Sequence, residues 1–387
     1  MRLLFVTSSL AHGGAERHTI TLANRLAQRG HDCHLVFVKN RTAQLDRVRL
    51  GARGTIHCLD ARRYFDLRAL LRFARTIRAV GPAVIVAANE YALLYSTLAS
   101  RLAGGRAAIA VTYHTTDSLG AKERLKMLIT RPLFWMADCA IFVCDYQRRR
   151  WFRRGPVARR NEVIYSGVDT EEFADRALPE ARAIAREKLG IAESQYVVGI
   201  TAALRPEKNH NQLVEAIARL RVQGTDAHAV VIGDGPMRTG IEAHARRLGV
   251  AEYVKITGFE ADVRPYVLAC DTMVLCSVSE ALSLAAIEAM ALGKPVVHSD
   301  VGGAGELIQS GSNGYLFRVN DTDSFVECLA LLASPVLRAR MGARARATVE
   351  QSFGVGVMVD RYEHLFRELG SRRPVAAAGS PVQERRG

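Results

Sequence analysis

Short apolar runs and stretches of helical periodicity alternate along this chain from its first residues. Arg2–Thr7 is a short apolar run that reads as a buried strand. Residues 15–29 follow, with Ile20, Ala23, Leu26 and Ala27 at helical spacing and Gly30 as the stop. Residues 34–38 read as a second strand, Leu67–Val80 as a helix ending at Gly81-Pro82, and residues 83–88 as a third strand. The pattern then restarts: a strand at 196–200, a helix at 211–222, and a strand at 229–232 that runs into Gly233-Asp234-Gly235-Pro236. Further strands are expected at 254–256, 273–276 and 295–298, each trailed by a helical pattern. Such alternation builds βαβ units into parallel sheets covered on both faces. The expected fold class is α/β, two doubly wound Rossmann-like domains facing a central cleft, because open α/β sheets bind ligands at their strands' carboxyl ends. The expected boundaries are 1–170 and 190–351, a helix at 352–370 returning to the first domain, and a disordered tail at 371–387.

Charge sharpens this picture. The 387 residues carry 53 Lys+Arg against 39 Asp+Glu, a net of +14. Residues 1–170 hold 28 against 12, a net of +16, and the remainder 25 against 27, a net of −2. The basic excess therefore belongs to the first domain and calls for a polyanionic partner there. The apolar run at the N-terminus, Leu3 to Val6, is far shorter than the ~7–15 residues of a signal-peptide core. No stretch approaches the ~18 apolar residues of a membrane span, so a cytoplasmic protein is expected. Seven cysteines without a CxxC pair read as reduced thiols, most of them in the core.

Three strings carry candidate chemistry. Gly13 and Gly14 follow the first strand and open the first helix, where bare backbone N–H groups admit a phosphate; the same glycines also suit a plain turn. Arg205 and Lys208, in Arg205-Pro206-Glu207-Lys208, stand at a strand's carboxyl end, where a guanidinium fork and an ammonium suit a diphosphate. A solvated loop is the alternative. The third string, 279–291, places Glu280 before a helix and Glu288 two turns inside it, among Leu284, Ile287 and Ala291. A buried carboxylate needs a partner or a ligand, and it can accept two vicinal sugar hydroxyls. The amides near Ser283 and Leu284 suit a phosphate at the helix start.

Taken in this order, these strings resemble glycosyltransferase family 4, retaining enzymes of the GT-B fold. The resemblance also rests on residues 163–169, on Gly233-Asp-Gly-Pro236 and on Gly293-Lys-Pro-Val-Val297 leading to Val301-Gly-Gly303, and it covers roughly residues 1–369. It implies that Gly14 lies over the donor diphosphate and that Arg205 and Lys208 stabilise the leaving nucleoside diphosphate. Glu288 would hold the ribose, Glu280 the transferred sugar, the amides around Leu284 the distal phosphate, and residues near Phe259 the base. His114 would stand beside the reacting sugar. The chain departs from the family pattern at Ala281, Ser283 and Leu284, which bears on sugar identity. No cofactor or metal is expected. Asp321-Thr322-Asp323 looks like a metal-binding D-x-D, but it sits before an apolar-periodic helix and reads as an N-cap.

Residues 122–160 hold 11 Lys+Arg against three acidic residues, together with both tryptophans. The cluster Arg148, Arg149, Arg150, Trp151, Phe152, Arg153, Arg154 mixes cations with large aromatics, as a peripheral membrane patch does. The expected partners are a nucleotide-sugar donor, a lipid-linked or saccharide acceptor, and an anionic membrane at its inner face. Two rivals remain: a basic nucleic-acid binder, which leaves Glu280 and Glu288 without a role, and another GT-B sugar enzyme such as a phosphorylase.

Overall fold

The computed structural model describes residues 1–114, 132–153, 157–174 and 179–371. Among these, two parallel sheets form. The N-terminal domain has strands β1 (Arg2–Thr7), β2 (Asp32–Phe37), β3 (Ile56–Cys58), β4 (Val84–Ala88), β5 (Ala108–Tyr113), β6 (Cys139–Phe142) and β7 (Arg160–Val163), in the order β3-β2-β1-β4-β5-β6-β7. The C-terminal sheet has β8 (Tyr196–Thr201), β9 (Ala227–Ile232), β10 (Val254–Gly258), β11 (Thr272–Leu275), β12 (Val296–Ser299) and β13 (Gly314–Phe317), in the order β10-β9-β8-β11-β12-β13. In each sheet the order reverses direction at the first strand, β1 or β8. The loops leaving those strands therefore open on a crevice.

The central strands are mostly apolar because both faces are covered, whereas the edge strands β3 and β7 are not buried. On β1, Leu4 and Val6 join the core beneath helices α2 (Leu67–Val80) and α3 (Asn89–Leu102), whereas Leu3 and Phe5 join the core beneath α1 (Gly14–Gln28). Helix α2 starts at Asp66, whose carboxylate accepts from the N–H groups of Arg68 (3.0 Å) and Ala69 (3.1 Å), and it stops at Gly81 in the left-handed region before Pro82.

Helix α4 (Asp145–Phe152) corrects the expected membrane patch. Trp151 is only 2% exposed and packs edge-on against Tyr113, with Phe134 and Phe142 beside it. Gln147, one turn earlier, is also buried, so 147 and 151 define the inward face of α4. Trp135 is the exposed tryptophan, at 56%. Arg154, residues 122–131 of the basic stretch, and the tail beyond Ser371 lie outside the described residues. Cys58 is the one thiol of the seven that is exposed; Cys328 is half-buried, and all seven are free.

Helices α5 (Thr170–Ala174) and α6 (Pro179–Leu189) lead into the C-terminal domain. Its own helices are α7 (His210–Val222), α8 (Arg238–Arg247), α9 (Arg264–Ala269), α10 (Leu284–Ala291), α11 (Ala304–Leu307), α12 (Thr322–Leu331) and α13 (Pro335–Ser352). Asp321 caps α12, accepting from the N–H of Ser324 at 3.0 Å, and Asp323 pairs with Arg219, so the D-x-D string is helix-start chemistry. Helix α14 (Val355–Ser371) then lies on the first domain, where Met358, Tyr362, Leu365 and Phe366 pack with Leu3 and Phe5. The chain thus passes between domains twice, and the two passages touch. The Val168 N–H donates to the Phe353 carbonyl (3.0 Å), and the Val355 N–H donates to the Val168 carbonyl (2.7 Å). A Cβ at Gly167 would lie 2.7 Å from the Gly354 oxygen, so this passage has room only for glycine.

Candidate active site

A cavity of about 1030 Å³ separates the domains. Its N-terminal wall includes His12, Gly13, Gly14, Arg17 and His18, and its C-terminal wall includes Phe259, Leu284, Ala285 and Glu288. The starts of α1 and α10 face each other: a Cβ placed on Gly14 would lie 3.7 Å from Leu284 Cδ1. Ser283 caps α10, its Oγ accepting from the Ala286 N–H at 3.3 Å. The helix begins at Leu284, so Glu288 is its fifth residue, just over one turn inside and not two.

Glu288 is 4% exposed, and burial pushes its carboxyl pKa up; Arg17 pulls the other way. The Arg17 guanidinium reaches it across the cleft at 2.7 Å. The sequence reading did not find Arg17. Its signal was positional, because Arg17 lies one turn after Gly14 and so shares the face that meets the cleft. Nearby, Arg264 grips Asp262 through two nitrogens at 2.7 and 2.8 Å and reaches Glu172 at 2.9 Å. His12 and Phe259 bring their rings to 4.7 Å at the cavity mouth, where Phe259 is exposed.

The other expected residues form a second group, outside the lining of this cavity. Lys208 pairs with Glu280, whose carboxylate also accepts from Ser277 Oγ at 3.0 Å. The loop of Lys208 is tied to that of Glu280 by the Val278 N–H, which donates to the Glu207 carbonyl at 2.9 Å. It is braced from the other side by Gly233-Asp-Gly-Pro236: the Leu204 N–H donates to the Asp234 carbonyl at 3.0 Å. Gly233 has φ +146°, and a Cβ there would run into the Ala202 oxygen, which accounts for that glycine string. Arg205 stands exposed at the turn, at the carboxyl end of β8. Gly302, at φ +60°, leaves no room for a Cβ against the Glu280 carbonyl, and the Gly303 N–H donates to the Ala281 carbonyl at 2.7 Å. The Val301-Gly-Gly string therefore holds the Glu280 loop by its backbone.

His114 follows directly after β5, its backbone N–H donating to Asn89 Oδ1 at 2.9 Å. Its Nε2 is buried and has no hydrogen-bond partner among the described residues. Burial holds the ring well below the ordinary histidine range and so neutral. It stands 4.8 Å from the ring of His18, which lines the cavity and is itself pushed down to about 4 by burial. His18 and Thr112 both reach the Tyr362 hydroxyl, at 3.2 and 3.4 Å, linking this wall to α14.

Two facing Rossmann-like domains with a cleft built this way define a GT-B glycosyltransferase. Residues 12–172 match the profile "Glycosyltransferase Family 4" and residues 181–348 match "Glycosyl transferases group 1". The chain belongs to glycosyltransferase family 4. It is 26% identical, over 92% of its length and 94% of the relative's, to the N-acetyl-alpha-D-glucosaminyl L-malate synthase of Bacillus anthracis. It is 33% identical, over 54% of its length and 57% of the relative's, to a GDP-mannose-dependent alpha-(1-6)-phosphatidylinositol monomannoside mannosyltransferase of Mycolicibacterium smegmatis. Its fold matches that of Anabaena HepE, solved with UDP and glucose, with a TM-score of 0.83 at 23% identity, covering 95% of this chain and all of that one.

Proposed function

We propose that this glycosyltransferase moves a sugar from a nucleotide-diphosphate sugar to a lipid-linked or saccharide acceptor, with retention at the anomeric carbon and without a metal or other cofactor. The observation that carries the donor reading is Glu288, a buried carboxylate in the inter-domain cavity beside a helix start and opposite a glycine turn. A ribose would take the place that Arg17 now takes at Glu288, and the base would lie against His12 and Phe259. The α10 start and the Gly13-Gly14 turn offer N–H groups for phosphates. Arg205 and Lys208 would meet the leaving diphosphate, where electrostatic stabilisation is the large term. Glu280 would contact the transferred sugar from its place between Lys208 and Ser277. The Mycolicibacterium relative is named for a GDP-mannose donor and a phosphoinositide acceptor, and HepE was solved with UDP and glucose, which supports this class of substrates.

Retention follows if a diphosphate oxygen takes the acceptor's proton on the same face of the sugar. His114, neutral and with its Nε2 buried, fits a group that shapes the sugar pocket and not one that titrates.

The test is a panel of UDP-, GDP- and ADP-sugars. The matching nucleoside diphosphate raises the melting temperature by mass action, and Glu288→Ala removes that shift. The transferred sugar keeps its anomeric configuration by NMR, and turnover persists in EDTA. Stabilisation by RNA and by no nucleotide overturns the enzyme reading, and nucleoside-free turnover with inorganic phosphate favours a phosphorylase.

A further inference from the structure

Helix α4 begins without a cap of its own. Its N-cap position is Cys144, whose side chain accepts nothing from the first turn, so the leading N–H groups need acceptors from elsewhere. Glu306, on α11 of the other domain, supplies both. Its Oε2 accepts from the Asp145 N–H at 2.7 Å, and its Oε1 accepts from the Tyr146 N–H at 2.6 Å. The Tyr165 hydroxyl donates a third hydrogen bond to Oε2 at 2.9 Å. All three donors belong to the N-terminal domain and the carboxylate to the C-terminal one. Charge and helix dipole both favour the contact.

The same junction reaches the Glu280 loop. Burial pushes the Cys144 thiol up to about 12, so it stays protonated, and its Sγ donates to the Ala281 carbonyl at 3.3 Å. That carbonyl also accepts from the Gly303 N–H, three residues before Glu306. The backbone beside Glu280 is thus held between Gly302-Gly303 and the start of α4, and Glu306 pins α4 in place. Glu306 is not among the residues lining the inter-domain cavity.

We infer that Glu306 is a positioning residue: it registers the N-terminal domain against the Glu280 loop in the closed enzyme, and so serves sugar transfer without serving nucleotide binding. This rests on the donor reading given above. A displacement of the two domains at this junction, beside the Val168–Phe353 passage, would break these hydrogen bonds and the Cys144–Ala281 contact together. The carboxylate therefore acts on one arrangement of the domains only.

Wild type, Glu306→Gln, Glu306→Ala and Tyr165→Phe are compared in three measurements. These are thermal shift with UDP and GDP, nucleoside diphosphate release from UDP-glucose and GDP-mannose, and small-angle X-ray scattering with and without UDP or GDP. Glu306→Ala keeps the nucleotide Kd within about twofold and loses about 10- to 100-fold in turnover, as a displaced reacting group does. Its radius of gyration stays above that of wild type. Glu306→Gln falls between, because its amide oxygen still accepts one of the two N–H groups. Tyr165→Phe shows a smaller loss of the same kind, and it carries the test with Glu306→Gln if the alanine variant does not fold. Wild-type turnover in Glu306→Ala, or a loss of nucleotide binding in step with turnover, overturns the inference. If wild type binds none of UDP, GDP and ADP, the donor reading fails instead. Scattering of the ligand-free proteins then decides this inference alone, since an unpinned α4 expands the particle and equal radii overturn it.

Discussion

Burial raises the Glu288 pKa from an ordinary value of 4.5, and Arg17, itself 40% exposed, offsets only part of that cost. The sign of the pH dependence follows. An acid whose folded pKa is raised binds more protons folded than unfolded, so it costs stability as pH rises above 4.5. Glu288→Gln is therefore expected to melt above wild type at pH 7 without ligand. The gap closes as pH falls below 4.5, where the carboxyl is protonated in both states. Melting curves over pH 4–8 check this, and a gap that does not change with pH contradicts it. At this scale the sequence announced Glu288 through its apolar neighbours and Gly13-Gly14 through their place after a strand. Arg17 and Glu306 were not announced, because each matters for a partner some 160–270 residues away, and spacing says nothing about such distances.

At the scale of elements, α14 is the informative case. Its apolar spacing predicts a helix with one buried face, but periodicity does not say which domain receives that face. It lies on the N-terminal domain, where Phe366 is fully buried 6.5 Å from Phe5 and Tyr362 meets His18. Phe366→Ala should cost about 3–5 kcal/mol in the unfolding of the N-terminal domain by denaturant. A loss confined to the C-terminal domain would contradict that. Helix α4 teaches the converse. Arg148-Arg-Arg-Trp-Phe-Arg-Arg reads as surface by composition, yet Trp151 and Gln147 share one face one turn apart, and that face is core. The strand–helix alternation itself was legible because both faces of each sheet are covered, which makes the central strands short, mostly apolar runs; the edge strand β7, Arg160-Asn-Glu-Val, carries no such signal.

At the scale of the whole molecule, no helix among the described residues is long and apolar enough to cross a membrane. The basic N-terminal domain instead bears a surface suited to lying on one. Helices α2, α3 and α4 bury side chains in one common core, so they share a face of the sheet. That face exposes Arg149, Phe152 and Arg153 on α4, and Phe65 (53%) and Leu67 (59%) with Arg62, Arg63 and Arg68 at the start of α2. Cations beside exposed apolar side chains fit an anionic bilayer surface. The protein is expected to sediment with vesicles containing acidic phospholipid and to release as salt rises. Phe65→Asp with Leu67→Asp should weaken sedimentation about tenfold, each loss of ~1.4 kcal/mol being a factor of ten. Binding that ignores both salt and these changes rules out this surface. Net charge by halves pointed to the domain, whereas only the packing of Trp151 showed which aromatics remain outside.

The two chain passages at Val168 and Gly354 limit how the enzyme can move. A single linker is a swivel, free to bend and twist in any direction. Two strands laid side by side and hydrogen-bonded act as a hinge with one axis, along the line of their contact. The cleft then opens and shuts like a book, with the spine at Gly167 and Gly354 and the Glu306 contacts close beside it, since the Tyr165 ring packs on Phe353. Each closing returns Gly14 and Glu288 to the same mutual alignment, without a search through sideways rotations. A bulkier residue at Gly167 would pry the spine apart and spoil that alignment.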